Sequence, residues 1–218
     1  MIQGVIFDAD GTLLDSMPYW DESVISIVRA MGLEPEKGLT EILTPMSMEE
    51  GAQYLIERYE LTASVKDIVA EENRRAEEFY ETKVDLKNGV LPLLDMLAKC
   101  GVRLSVATAT DKYLIDKALK ATGILSYFDA VLSCGDIGEG KSSPTIFYKA
   151  CELMNTQPQF TVVVDDSLTA ITTAKNNGFK TAAVYDDMQK KHWAQLSELG
   201  DILIKSDFDK DIFKEFFM

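Results

Sequence analysis

The chain has a single histidine, His192, among its 218 residues. That residue follows Lys190 and Lys191 in a stretch with a helical, solvent-facing pattern. A hydrolytic triad needs an imidazole beside its nucleophile, so a serine hydrolase of that kind is disfavoured. Cysteine is also scarce. Cys100, Cys134 and Cys151 are odd in number and lack metal-ligand spacing, which argues against a disulfide framework or a zinc module; buried, reduced thiols are expected. Positive charge is in deficit, with 22 Lys and Arg against 36 Asp and Glu and a formal net charge of −14. Such a field opposes non-specific binding to nucleic acid or to an anionic membrane. No apolar run is long enough to span a bilayer. Met1-Ile2-Gln3-Gly4 shows neither a basic region nor a cleavable apolar stretch, so a cytoplasmic location is expected. The sequence contains no internal repeat and no low-complexity tract. Nothing in it fixes an oligomeric state, and a monomer is the default expectation.

Short β-rich runs alternate with helical patterns through most of the chain, which predicts an α/β fold with a parallel sheet covered by helices. The expected strands are Ile2 to Phe7, Arg103 to Ala107, Ala130 to Ser133, Thr161 to Val164, Thr181 to Val184 and Ile202 to Ile204. Asp8, Thr108 and Asp165 follow the carboxyl ends of three of them, the edge at which open α/β sheets bind ligands. The alternation breaks between about Pro18 and Lys83. Helical patterns there cover Tyr19 to Met31, Met48 to Tyr59 and Ser64 to Glu81, with turn signals at Gly32, Pro35, Gly38 and Pro45. The expected organisation is therefore a core formed by residues 1–16 and 83–218, interrupted by a helical cap over 17–82 that serves as a lid. Asp207 to Met218 reads as a short amphipathic helix.

The most restrictive segment is Asp8-Ala9-Asp10-Gly11-Thr12-Leu13-Leu14-Asp15-Ser16, directly after the apolar run Gly4-Val5-Ile6-Phe7. Alternation sends Asp8 and Asp10 to one side of an extended chain, with Gly11 free to turn. Crowded carboxylates are unfavourable unless a cation or a shared proton neutralises them, and Mg²⁺ is the simplest neutraliser. If their environments differ, one acid can act as a nucleophile while the other moves protons. A lone Asp-x-Asp would more simply be a solvated turn. Three further segments align with this one. Leu104 to Thr110 ends a strand in the hydroxyl of Thr108, a donor suited to a phosphate oxygen. Lys141 stands just before a helix expected to begin near Pro144. Val162-Val163-Val164-Asp165-Asp166-Ser167 places two hard oxygen ligands at a strand end, before a helix capped by Ser167.

Together these four segments resemble the haloacid dehalogenase superfamily, and the resemblance covers essentially the whole chain. It implies a Rossmann-like core with an inserted helical cap. It also implies that Asp8 is a nucleophile forming an aspartyl-phosphate and that Asp10 is the acid, then base, for proton transfer. Thr108, Ala109 and Lys141 would hold the phosphoryl oxygens. The resemblance further implies that Asp8, the main-chain carbonyl of Asp10, and Asp166 ligate Mg²⁺, with Asp165 as a second ligand or outer partner. Ala9 stands where a larger apolar residue is usual and Ser142 where many members have proline; neither change removes a charge or a donor. The chain is similar to the branch containing β-phosphoglucomutase and phosphatases. Trp20 matches the position of the mutase's cap histidine and Met48 that of its cap arginine. Apolar Met48 cannot grip a second phosphate, so hydrolysis of a small phosphorylated metabolite is expected over the mutase reaction. Substrate choice is expected to rest on Tyr19, Trp20, Thr44, Met46 and Met48, although the helical pattern around Trp20 suits a core residue equally.

Two rival readings remain open in the sequence. Gly135-Asp136-Ile137-Gly138-Glu139-Gly140-Lys141-Ser142 fits G-x-x-x-x-G-K-[ST], the phosphate loop of nucleotide hydrolases. Asp136 and Glu139 would oppose a triphosphate, however, and Pro144 interrupts the required helix. The other rival is a non-catalytic protein that binds a phosphorylated ligand in the same pocket.

Overall fold

The computed structural model describes residues 2–43, 46, 48–205 and 207–209. Thr44, Pro45 and all but the start of the helix expected over 207–218 lie outside the described residues. The chain divides into two compact units, Met1–Ser16 with Val84–Met218, and Met17–Lys83.

The first unit is built on six parallel strands: β1 (Gly4–Phe7), β2 (Arg103–Thr108), β3 (Ala130–Ser133), β4 (Thr161–Asp165), β5 (Lys180–Val184) and β6 (Ile202–Ile204). Their order across the sheet is β3-β2-β1-β4-β5-β6. Every residue of β1 and β4 is buried. A central parallel strand is covered on both faces, and this explains the unbroken apolar runs GVIF and TVVV. On one face, Ile6, Ala107 and Val163 pack against Ile146, Phe147, Ala150, Ala170 and Ala174. Successive strand positions point to opposite faces, so Val5, Phe7, Val162 and Val164 serve the other.

The helical unit holds α1 (Met17–Ala30), α2 (Leu39–Leu43), α3 (Met48–Tyr59) and α4 (Val65–Thr82). Its core joins Val28, Leu39, Leu43, Ala52, Leu55 and Ile68. Helix α4 starts at a reciprocal cap. The Asp67 N–H donates to the Ser64 hydroxyl at 3.2 Å, and the Ser64 N–H donates to the Asp67 carboxylate at 3.1 Å, which satisfies two end groups that the helix itself cannot. Helix α2 was not legible, because five residues between turn signals carry no full helical period.

The remaining helices return the chain between strands: α5 (Val90–Lys99), α6 (Lys112–Ala121), α7 (Cys134–Ile137), α8 (Thr145–Met154), α9 (Leu168–Asn176) and α10 (Trp193–Leu199). Gly89 caps α5 with φ +79°. A Cβ placed there would lie 2.3 Å from the Phe208 carbonyl oxygen, so only glycine lets these two backbones meet. The three cysteines are free as expected, but only Cys151 is buried. Cys100, at the end of α5, is exposed, and Cys134 is half-buried.

Candidate active site

The strand order reverses direction at β1, with β2 on one side and β4 on the other. A crevice at the carboxyl ends of such strands is where α/β sheets bind ligands. Phe7 is paired with Val164, and the Asp8 N–H continues the ladder to the Val164 carbonyl at 2.9 Å. This register sets Asp8 beside Asp165. Beyond Asp8 the chain wraps tightly, with the N–H groups of Leu13 and Leu14 both donating to the Ala9 carbonyl at 2.9 Å. Gly11, at φ +79°, makes that reversal possible. Small Ala9, fully buried, sits at its centre.

Asp8, Asp165 and Asp166 are all buried, and one carboxylate oxygen from each lies within 4.8 Å of the others. The Lys141 ammonium lies between two of them. It donates to Asp165 Oδ2 at 2.7 Å and closely to Asp8 Oδ1. The other oxygen of Asp165 accepts from the Ser167 N–H at 2.8 Å, and the Ser167 hydroxyl in turn caps α9 at the Ala170 N–H. Burial lifts Asp8 to about 7; the Lys141 charge opposes the rise, while Asp165 and Asp10 add to it. Burial also raises Asp166, with Asp8, Asp165 and Asp186 pushing the same way. Burial alone would depress Lys141, but Asp165 and Asp8 outweigh it and hold the ammonium charged. One lysine thus undercompensates three carboxylates, and hard oxygen donors short of positive charge suit a small divalent cation.

The Asp10 carboxylate is outside this trio. Its Oδ1 accepts from the Ser16 hydroxyl at 2.6 Å and its Oδ2 from the Thr110 hydroxyl at 2.7 Å. Neither hydroxyl was singled out from the sequence, since serine and threonine close many strands and turns; nothing in spacing could connect Thr110 to a residue 100 positions earlier. Thr108 ends β2 fully buried, and its hydroxyl accepts from the Thr110 N–H at 3.1 Å. Ala109, between them, is exposed.

The phosphate-loop reading fails on this geometry. Residues 134–137 form a helical turn closed by Gly138, and α8 begins only at Thr145, so no helix starts at the lysine as that loop requires. In the helical unit, Tyr19 stacks on Phe79 with ring centroids 4.2 Å apart, and the Trp20 indole N–H donates to the Tyr80 hydroxyl at 3.1 Å. Both aromatics are therefore part of that unit's own packing. Met46 is half-buried, and Met48 is 36% exposed at the start of α3.

Fold and site together define a Rossmann-like enzyme with an acidic centre at the carboxyl edge of its sheet. The chain belongs to the haloacid dehalogenase-like hydrolases, whose family model matches residues 5–184. It is 24% identical to a phosphorylated carbohydrates phosphatase of Thermotoga maritima over 82% of this chain and 83% of the relative. It is 29% identical to a phosphoglycolate phosphatase of Vibrio vulnificus, over 81% of each. Among solved structures, a Thermotoga maritima protein provisionally assigned as a β-phosphoglucomutase superposes with a TM-score of 0.82 at 26% identity, covering 98% of this chain and 99% of that one. Among the described residues no helix is long and apolar enough to cross a membrane.

Proposed function

We propose that the chain hydrolyses a small phosphomonoester through a phosphoryl group carried on Asp8. The observation that carries this reading is the pairing of a buried Asp8 held by Lys141 with an Asp10 held by two hydroxyls. Asp8 Oδ attacks phosphorus and forms an O–P bond as the bond to the leaving oxygen breaks. Asp10 supplies the proton that the leaving oxygen needs. Asp10 then takes a proton from water as that water attacks phosphorus, releasing inorganic phosphate and restoring the Asp8 carboxylate. The Thr108 hydroxyl, the Ala109 backbone and Lys141 bind the transferring oxygens, Lys141 with full charge.

Asp8, Asp166 and the Asp10 main-chain carbonyl would hold Mg²⁺, with Asp165 as a further ligand or outer partner. When bound, the ion neutralises charge on the carboxylates and on the phosphoryl oxygens. The helical unit acts as the cap that selects substrate. Of the four described side chains expected to make that selection, Tyr19, Trp20, Met46 and Met48, none carries a charge. A second phosphate therefore finds no cation among them, which favours hydrolysis over the mutase reaction.

The test is phosphate release from sugar phosphates, nucleotides and p-nitrophenyl phosphate, with Mg²⁺ and with chelator. Metal-dependent release is expected, with loss of about 10³-fold or more in Asp8→Asn on a folded protein. Asp10→Asn should slow both halves of the reaction. Appreciable turnover by Asp8→Asn would remove it as nucleophile.

A further inference from the structure

A second buried ion pair stands at the same edge of the sheet. Leu86 pairs with Leu14 in an antiparallel bridge, and the Lys87 N–H donates to the Leu13 carbonyl at 2.9 Å. From there the Lys87 ammonium reaches Asp186 Oδ2 at 2.8 Å, the two side chains being only 11% and 8% exposed. The other Asp186 oxygen accepts from the Met188 N–H at 3.0 Å. Both oxygens of Asp186 are thus used within the protein. Asp186 lies just past β5, and Asp165 is in register with Ala183 of that strand. Yet the carboxylates gathered at the centre, among the described residues, are Asp8, Asp165 and Asp166, without Asp186. A fourth acid, at the end of the neighbouring strand, is therefore neutralised and turned to other partners by a lysine that the proposed reaction does not use.

We propose that Lys87 withholds Asp186 from the acidic centre and thereby sets which divalent cation the centre accepts. This rests on the reading that these carboxylates hold a metal ion. Mg²⁺ demands a compact octahedral shell and keeps several waters, whereas Ca²⁺ takes six to eight oxygens at longer range. A released Asp186 adds charge and oxygen ligands, and both favour the larger ion. With Lys87 in place, the centre offers too few carboxylate oxygens to reward Ca²⁺.

The experiment is calorimetric titration of the chelator-stripped full chain with Mg²⁺ and, separately, Ca²⁺, with circular dichroism on every variant. Lys87→Met should bind Ca²⁺ about tenfold more tightly than the parent, with a smaller gain for Mg²⁺. Asp186→Asn leaves an uncompensated ammonium near the centre and should weaken both ions by about threefold or more. The double variant should return close to the parent, because the two changes act through one pair. If Lys87→Met does not fold, Lys87→Gln and Asp186→Asn supply the same opposite signs. Variants that bind both ions within twofold of the parent would overturn the proposal, as would a double variant that retains the tightened Ca²⁺ binding. A parent that binds neither ion would overturn it together with the metal part of the proposed function. A parent that binds Mg²⁺ with indifferent variants would overturn this inference alone.

Discussion

Lys141→Met separates charge balance from chemistry at the acidic centre. The substitution keeps most of the side-chain volume and removes the ammonium that bridges Asp8 and Asp165, in an environment where Lys141 is 10% exposed and its partners 8% and 2%. Removing one member of a buried ion pair costs about 3–5 kcal/mol. At roughly 2–4 °C per kcal/mol for a chain of this size, the melting temperature in chelator should fall by on the order of 10 °C. The assay belongs at pH 8, above the value near 7 to which burial lifts Asp8 in the parent, and again at pH 9, because Lys141 opposes that rise and its removal pushes Asp8 higher still. A divalent cation at about 100 times its dissociation constant adds about 2.7 kcal/mol. Mg²⁺ should therefore restore most of the lost stability. Phosphate release should stay about 10²–10³-fold low, since no donor replaces the ammonium on the transferring oxygens. A melting temperature in chelator within a degree or two of the parent would refute the electrostatic account. Recovery of activity together with stability would refute the chemical role.

Glu72 tests the same physics in the helical unit. It is 7% exposed, accepts from the Ser23 hydroxyl, and is raised by burial against the opposing effects of Ser23 and Arg75. A carboxyl raised on folding contributes stability that is complete below its unfolded value and lost as pH rises through the folded one. Glu72→Gln should therefore match the parent in urea denaturation near pH 4 and exceed it at pH 8; an equal gap at both would discard the assignment. Gly89→Ala should cost about 2 kcal/mol or more, from the left-handed backbone and the clash with Phe208. An unchanged thermal melt would show that this contact yields freely.

β1 and β4 were legible because burial on both faces writes itself as unbroken apolar runs, and the other four strands appear where shorter β-rich runs stand. Three of the four motif segments were legible because each closes a strand and the strands converge at one edge, whereas Lys141 comes from the loop between α7 and α8. What escaped was whatever depends on partners distant in sequence. Ser16 and Thr110, although inside motif segments, meet on Asp10 only through the fold, and Lys87 and Asp186, which no motif marks, likewise meet only there. The burial of Cys100 was overestimated for a related reason: the end of a helix leaves its last turn to solvent unless another element covers it.

The strand order also has a consequence for synthesis. β1 is made first, yet it sits between β2 and β4 and finds neither neighbour until much of the chain exists. At roughly 5–20 residues per second, Gly4–Phe7 waits on the order of ten seconds or more for Thr161–Asp165 to emerge. Both edges of this apolar segment stay unsatisfied until Arg103–Thr108 is made, and one stays open until Thr161–Asp165 follows, while the helices of 17–83, whose partners are near in sequence, can already fold. The nascent chain therefore needs shelter for its first strand, and a ribosome-associated chaperone that shields residues 4–7 should raise the soluble yield more than one acting on the finished protein.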